Sequence, residues 1–159
     1  MNFTIRDAKI EDVPSILNLI KELAHFEKEA DAVEVTVNDL ERDGFGKAPL
    51  FKIFVAEIAE EIVGIALFYP RYSTWKGPTI HLEDLIVTER KRGLKIGSAL
   101  YKKVIEYGYD KGVKRIEWNV LDWNTPALKF YEKSGANVLQ EWSTVQMDVE
   151  SMKSYLAKH

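Results

Sequence analysis

The segment from Ile80 to Lys111, IHLEDLIVTERKRGLKIGSALYKKVIEYGYDK, constrains the fold of this chain more than any other. It opens with a β-branched, apolar run, Ile80 to Thr88, that reads as a strand. It closes with Leu100, Val104, Ile105 and Gly108 on one face of a helix expected from about Gly97 to Lys111, and Gly112 ends that helix. Between them lies a basic loop with two glycines, Arg92-Gly93-Leu94-Lys95-Ile96-Gly97. Such a unit places the helix against a sheet and aims the helix's first amides at whatever the loop surrounds. Those amides have no partner inside the helix, and with the helix dipole they attract an anion. Gly93 and Gly97 let the backbone approach that anion, because no Cβ intrudes. Arg90, Lys91, Arg92 and Lys95 add charge, and Ser98 adds a hydroxyl. The pattern predicts a phosphate site, and the alternative is a solvated basic turn that caps a helix. An NTPase P-loop would need a lysine after Gly97, and a dinucleotide fingerprint would need a third glycine after the first strand. Neither fits.

The rest of the chain supplies the layers. Phe3 and Ile5 alternate with polar residues as a short strand. Val13, Ile16, Leu17, Ile20, Leu23 and Ala24 recur at helical spacing between about Ile10 and Glu29, with Pro14 in the first turn. Thr36-Val37-Asn38-Asp39 reads as a capping box for a short helix ending near Gly44. Phe51 to Ile58 and Ile62 to Tyr69 read as strands joined through Glu60-Glu61. Arg115 to Val120 alternates as a further strand. Asn124-Thr125-Pro126 starts a helix that runs to about Ser134 and is closed by Gly135. Two strands up to Asp148 and a short terminal helix are expected after it. The order predicts an α/β (α+β) chain, a mixed sheet with helices on its faces, in a single domain over residues 1–159.

Composition narrows the chemistry. The 159 residues carry a net charge of −3 and no cysteine. Acidity disfavours a nucleic-acid partner. Without cysteine, disulfides and thiolate catalysis are excluded, and the scattered His25, His81 and His159 offer no metal site. No stretch approaches the about 20 apolar residues that span a bilayer, and the charged N-terminus is no signal peptide. A cytoplasmic protein without a membrane partner is expected.

The loop Arg92-Gly93-Leu94-Lys95-Ile96-Gly97 resembles the Arg/Gln-x-x-Gly-x-Gly/Ala loop of the GCN5-related N-acetyltransferases (GNAT). The stretches LIKELAHFE, DLERDGFG, YSTWKG, LEDLIV, RGLKIGS and WNTPALKFYEKSGA are similar to the diamine (spermidine/spermine) branch of that family, in the same order along nearly the whole chain. The resemblance implies a GNAT fold with a mostly antiparallel central sheet, helices on both faces, and a homodimer. It implies an acetyl-CoA-dependent N-acetyltransferase acting directly on the primary amine of a small cationic substrate: a polyamine, a diamine or a thialysine-like amino acid. The alternatives are a non-catalytic CoA-binding regulatory domain and a protein N-acetyltransferase.

By that resemblance, Arg92, Gly93, Leu94, Lys95, Ile96, Gly97 and Ser98 bind the cofactor's pyrophosphate. Leu85, Ile86 and Val87 pair with it through their backbones, beside a bulge in the sheet. Asn124, Pro126 and Ala127 hold its pantetheine arm, and Tyr131 protonates the departing thiolate. Glu83 accepts the amine's proton, because an amine of pKa about 10 must lose it before attack. Phe26, Glu27, Trp75, Glu83, Asp84 and Trp123 line the amine channel, and Glu117 and Asn119, which point the same way on their own strand, are expected to join it. Adjacent strand residues point to opposite faces, so only one of Glu83 and Asp84 is expected in the pocket. Where the family carries its middle glycine this chain has Lys95. A positive φ there would strain a lysine by about 1–2 kcal/mol. The expectation is a backbone that needs no positive φ, an N–H that still donates, and an ammonium that pairs with a CoA phosphate. Phe26 replaces a tyrosine and Ser73 an acidic residue of the polyamine enzymes, which favours a shorter or less charged amine.

Overall fold

The computed structural model describes residues 2–158, so His159 lies outside the described residues. Two compact units make up the chain, Met1–Asn119 and Val120–His159. The first is built on five strands, β1 (Thr4–Asp7), β2 (Lys52–Ile58), β3 (Glu61–Ser73), β4 (Gly77–Val87) and β5 (Ile116–Glu117), paired in chain order. Every pairing is antiparallel except that of β4 with β5. Three helices belong to the same unit: α1 (Val13–Phe26), α2 (Val37–Phe45) and α3 (Ile96–Asp110).

Strand alternation sends successive side chains to opposite faces, and each face meets a different helix. Ile53, Val55, Ile65, Leu67 and Ile86 pack against Ile16 and Leu19 of α1. On the other face Phe54 and Phe68 meet Tyr107 of α3, with ring centroids 6.0 and 5.1 Å apart. Gly64 is needed on that face: a Cβ there would stand 3.1 Å from Leu100 of α3 and 3.0 Å from the Ile86 carbonyl oxygen. The expected sheet with helices on both faces is what forms. Leu40 of α2 joins Val13 and Leu17 in a second cluster, and Thr36 and Asp39 make the expected capping box. Arg6 of β1 ties the layers together. Its guanidinium donates to both carboxylate oxygens of Asp12, at 2.7 and 3.0 Å, and to Glu57 of β2 at 2.6 Å. The guanidinium holds the Asp12 carboxyl below the usual carboxylate range.

Several boundaries differ from the expected ones. β3 runs past Pro70 to Ser73 instead of stopping at Tyr69. Lys52, the first residue of β2, pairs with Phe68, so at Pro70 there is no β2 acceptor to lose. The β2–β3 connection is Ala59-Glu60, one residue earlier than expected, with φ of 48° and 66°, the positive pair a tight hairpin turn demands. Ile105 faces outward on α3, and β5 keeps only two residues of the expected six.

The second unit holds α4 (Thr125–Lys133) and α5 (Val149–Lys158). The two strands expected before Asp148 do not form: no strand occurs among the described residues after β5. Leu139, Trp142 and Val145 in that stretch are 59%, 67% and 93% exposed. A strand is stable only against a neighbour, and this segment is paired with none.

Candidate active site

Carboxylates from two elements converge on the α1 face of the sheet. The β3–β4 register passes from Leu67↔Asp84 to Phe68↔Leu82, so Glu83 is the extra residue of a β-bulge. The bulge breaks the alternation. It leaves His81 and Glu83 on the same face as Asp84 and Ile86, and the expectation that only one of the two acids lines the pocket is overturned. Glu27, just past the end of α1, joins them. Burial first, then the charges of Glu83 and Glu27, push the Asp84 carboxyl up to about 6. Burial and Glu83 raise Glu27 as well. Three like charges in a partly dry site are a poor place for another anion and a good one for a cation.

Glu83 is itself held. The Tyr69 hydroxyl donates to its Oε2 at 2.7 Å, and His81 Nε2 lies 3.4 Å from the same oxygen. Burial and the bond to Glu83 push the Tyr69 hydroxyl up to about 12, so it stays a donor. The Tyr69 and His81 rings lie side by side, 5.3 Å between centroids. With Oε2 occupied, Oε1 is the oxygen left to face a substrate.

Beyond these acids β4 presents its backbone. β5 pairs only at Ile80 and His81, and the ladder on that side is not continued from Leu82 to Val87. Thr88 N–H bonds Val63 O at 2.9 Å, which fixes the alternation. Thr88, Ile86 and Asp84 turn their backbone groups to β3, while Leu85 and Val87 turn theirs to the open side. Ile86 therefore has no free backbone group for a ligand there, contrary to expectation. The Val87 carbonyl accepts from Arg92 Nε at 3.1 Å.

The loop follows at once. A short 3₁₀ turn, Glu89–Lys91, is anchored to α1 where Glu89 N–H donates to Glu22 at 2.9 Å. Arg90 is committed to Glu61 and does not serve the loop. The Arg92 guanidinium lies 5.5 Å from the Phe26 ring centre. Gly93 has φ 80°, and a Cβ there would meet nothing within 4 Å, so what requires glycine is the backbone angle. Lys95, the residue before α3, has φ 62° and ψ 13°. The expectation of an ordinary backbone at Lys95 is overturned: the position is left-handed, which explains a glycine there in the family and costs a lysine about 1 kcal/mol. Gly97 is different, since a Cβ would stand an ordinary 3.7 Å from Val87 Cγ2. Ala99 N–H is the first to bond back, to Lys95 O, leaving the amides of Ile96, Gly97 and Ser98 at the helix entrance without helical partners.

The remaining expected residues fall in three places. Trp75 sits in the turn between β3 and β4, 79% exposed. Glu117 is gripped by Arg71 at 2.7 Å and Arg115 at 3.5 Å, so it is not an open anion for a cationic substrate. Asn119 lies beyond the end of β5. Trp123, Asn124, Pro126, Ala127 and Tyr131 belong to the second unit. There Asn124 caps α4 by accepting from Ala127 N–H at 3.4 Å, and the Tyr131 ring packs on Phe130 at 5.5 Å. Sequence reasoning missed Tyr69, Arg71 and Arg115 and gave His81 no role in the site. The period-two series Tyr69, Arg71, Ser73 was the available signal, hidden by ending the strand at Tyr69, before Pro70. A cavity of about 580 Å³ elsewhere on the first unit, lined by Phe45, Phe51, Phe68 and Tyr107, includes none of the acids or loop residues.

A family model described as "Acetyltransferase (GNAT) family" matches residues 13–136. The thialysine N-epsilon-acetyltransferase of Bos taurus is 41% identical, over 97% of both chains. That of Caenorhabditis elegans is 36% identical over 97% of both. A spermidine/spermine N(1)-acetyltransferase-like protein of Homo sapiens is 38% identical over 84% of this chain and 20% of its own length. Among solved structures, an integron cassette protein from the V. cholerae mobile metagenome covers 100% of this chain and 99% of its own, with a TM-score of 0.80 and 21% identity. At that identity the likeness speaks for the fold alone.

Proposed function

The chain belongs to the acetyltransferase (GNAT) family and is an N-acetyltransferase, and we propose how its residues divide the work. The donor is acetyl-CoA, whose thioester supplies the acetyl group. The amides of Ile96, Gly97 and Ser98, with those of Gly93, Leu94 and Lys95, hold its pyrophosphate, and Arg92 adds charge. The positive φ at Gly93 and Lys95 supports this reading, because a left-handed residue beside a right-handed one lets successive N–H groups face the same anion. The Leu85 backbone and the Val87 N–H bind along the open side of β4. Asn124, Pro126 and Ala127 hold the pantetheine arm, and Tyr131 gives a proton to the leaving thiolate.

The acceptor is the primary amine of a small cationic substrate: a polyamine, a diamine or a thialysine-like amino acid, the last named for relatives such as the Bos taurus enzyme. Glu27, Glu83 and Asp84 draw its ammonium in. Glu83, through Oε1, takes the proton, directly or through water, and the amine's lone pair is freed for attack. The observation that carries this reading is the bulge at Glu83, which puts both acids of β4 on the α1 face beside the open backbone of Leu85 and Val87. Phe26 and Trp75 wall the channel, with Trp123 and Asn119; Glu117 serves through its arginines.

In the same proposal residues 1–159 act as one domain, in the cytoplasm and as a homodimer. The exposed Leu139, Trp142, Val145 and Leu156 support association, and sedimentation velocity measures it. No helix of the described residues is long and apolar enough to cross a membrane. The test of function is a panel of amines (spermidine, putrescine, thialysine, lysine) with acetyl-CoA, read as free-thiol release. Thiol release with at least one small amine is expected, and silence across the panel removes the substrate class.

A further inference from the structure

On the same face as the acids, one step further along the strands, the charge changes sign. Tyr69, Arg71 and Ser73 alternate onto the α1 face of β3, and His81 pairs with both Tyr69 and, across β4–β5, Glu117. Arg71 Nη1 bonds Glu117 Oε1 at 2.7 Å, and Arg115 Nη1 lies 3.5 Å from Glu117 Oε2. Arg115 Nη2 donates to Ser73 Oγ at 2.7 Å. That oxygen also accepts the N–H groups of Trp75 and Lys76, which fixes the turn around it. Two guanidiniums share one carboxylate, so a positive charge is left over.

Arg71 is 55% exposed. A guanidinium carries more donors than a single carboxylate contact fills, and its planar fork suits a second carboxylate. The acid cluster begins at Tyr69, two residues from Arg71, or roughly 7 Å along the strand. The Arg71 charge is felt at the Tyr69 hydroxyl, the group that holds Glu83. A molecule reaching from Glu83 to Arg71 would need a cation at one end and an anion at the other. A polyamine would place a second cation against the arginines.

We propose that Arg71 and Arg115, positioned by Ser73 and Glu117, form a carboxylate subsite, and that the preferred substrate is an amino acid whose reacting amine ends its side chain. The subsite rests on the acetyltransferase reading above and narrows its substrate class. It is a binding feature: the carboxylate is held while the amine lies at Glu83, and no bond of the carboxylate changes.

The test compares thialysine with the diamine thioether left when its carboxyl group is removed, using the whole protein and acetyl-CoA. The wild type is expected to favour thialysine in kcat/KM by about tenfold or more, the worth of one charge-assisted pair. Arg71→Gln, and separately Ser73→Asp, which gives Arg115 an anion of its own, should each lower that ratio by about tenfold, mainly through the KM for thialysine. Thermal unfolding identifies a variant that fails to fold, and the other variant then decides. A ratio unchanged in the folded variants, or a wild type that favours the diamine, overturns the subsite while leaving the acetyltransferase reading in place. A wild type that acetylates neither compound overturns both.

Discussion

In the loop that leaves β4 the working groups are backbone amides, contiguous in sequence from Gly93 to Ser98. In the acid cluster they are side chains drawn from two elements, Glu27 after α1 and Glu83 and Asp84 on β4, with Tyr69 of β3 holding one of them. The loop depends on φ angles, and the cluster depends on charges forced together. The first tolerates changes of side chain wherever the backbone angle survives. The second tolerates almost none, because removing a carboxylate removes the function it performs.

Glu83→Gln should cut kcat by about a hundredfold, the scale of a lost general base, with little change in the KM for acetyl-CoA. Steady-state kinetics checks this, and the contrast fails if Leu94→Ala or Ser98→Ala costs as much. Tyr131→Phe should lower kcat by at least about tenfold, and the loss should be smaller with a donor whose thiolate leaves more readily.

Asp84 gives the contrast a sign in pH. Its folded value of about 6 lies above its ordinary 3.8. The stability that goes with a raised carboxyl is fully present below its unfolded value of 3.8 and is lost as pH rises through its folded value of about 6. At pH about 7 Asp84→Asn should therefore be more stable than the wild type, by about 2 kcal/mol, with the gap closing by pH about 4. Urea unfolding at the two pH values measures it. A variant less stable at neutral pH would show that Asp84 is not a burdened anion.

The smallest effect belongs to the loop. Lys95→Gly should relieve the left-handed strain and raise stability by about 0.5–1 kcal/mol. Its affinity for CoA at low salt should fall a fewfold if the ammonium meets a phosphate, and the difference should vanish at high salt.

The same contrast explains what was legible in the sequence. The loop could be read because its glycines, its preceding strand and its following helix are neighbours in the chain. The helices α1 and α3 and the capping box at Thr36 were legible for the same reason. A bulge beside Leu85, Ile86 and Val87 was expected from family likeness, but neither its place at Glu83 nor its effect on the two acids was, since alternation is the only rule a sequence offers. Tyr69 and Arg71 were hidden because a proline normally ends a strand, and only the early end of β2 makes Pro70 harmless. The strands expected before Asp148 show the converse. Strands were expected there, but a sequence cannot supply the neighbour that a strand needs.

Amide chemical shifts of the isotope-labelled protein, followed as acetyl-CoA is added, test the central claim most directly. The account predicts saturating shifts concentrated at Gly93 to Ser98, with Leu85 and Val87 moving too and Ile86 moving less. Saturated ligand with the amides of Ile96, Gly97 and Ser98 unmoved would contradict it.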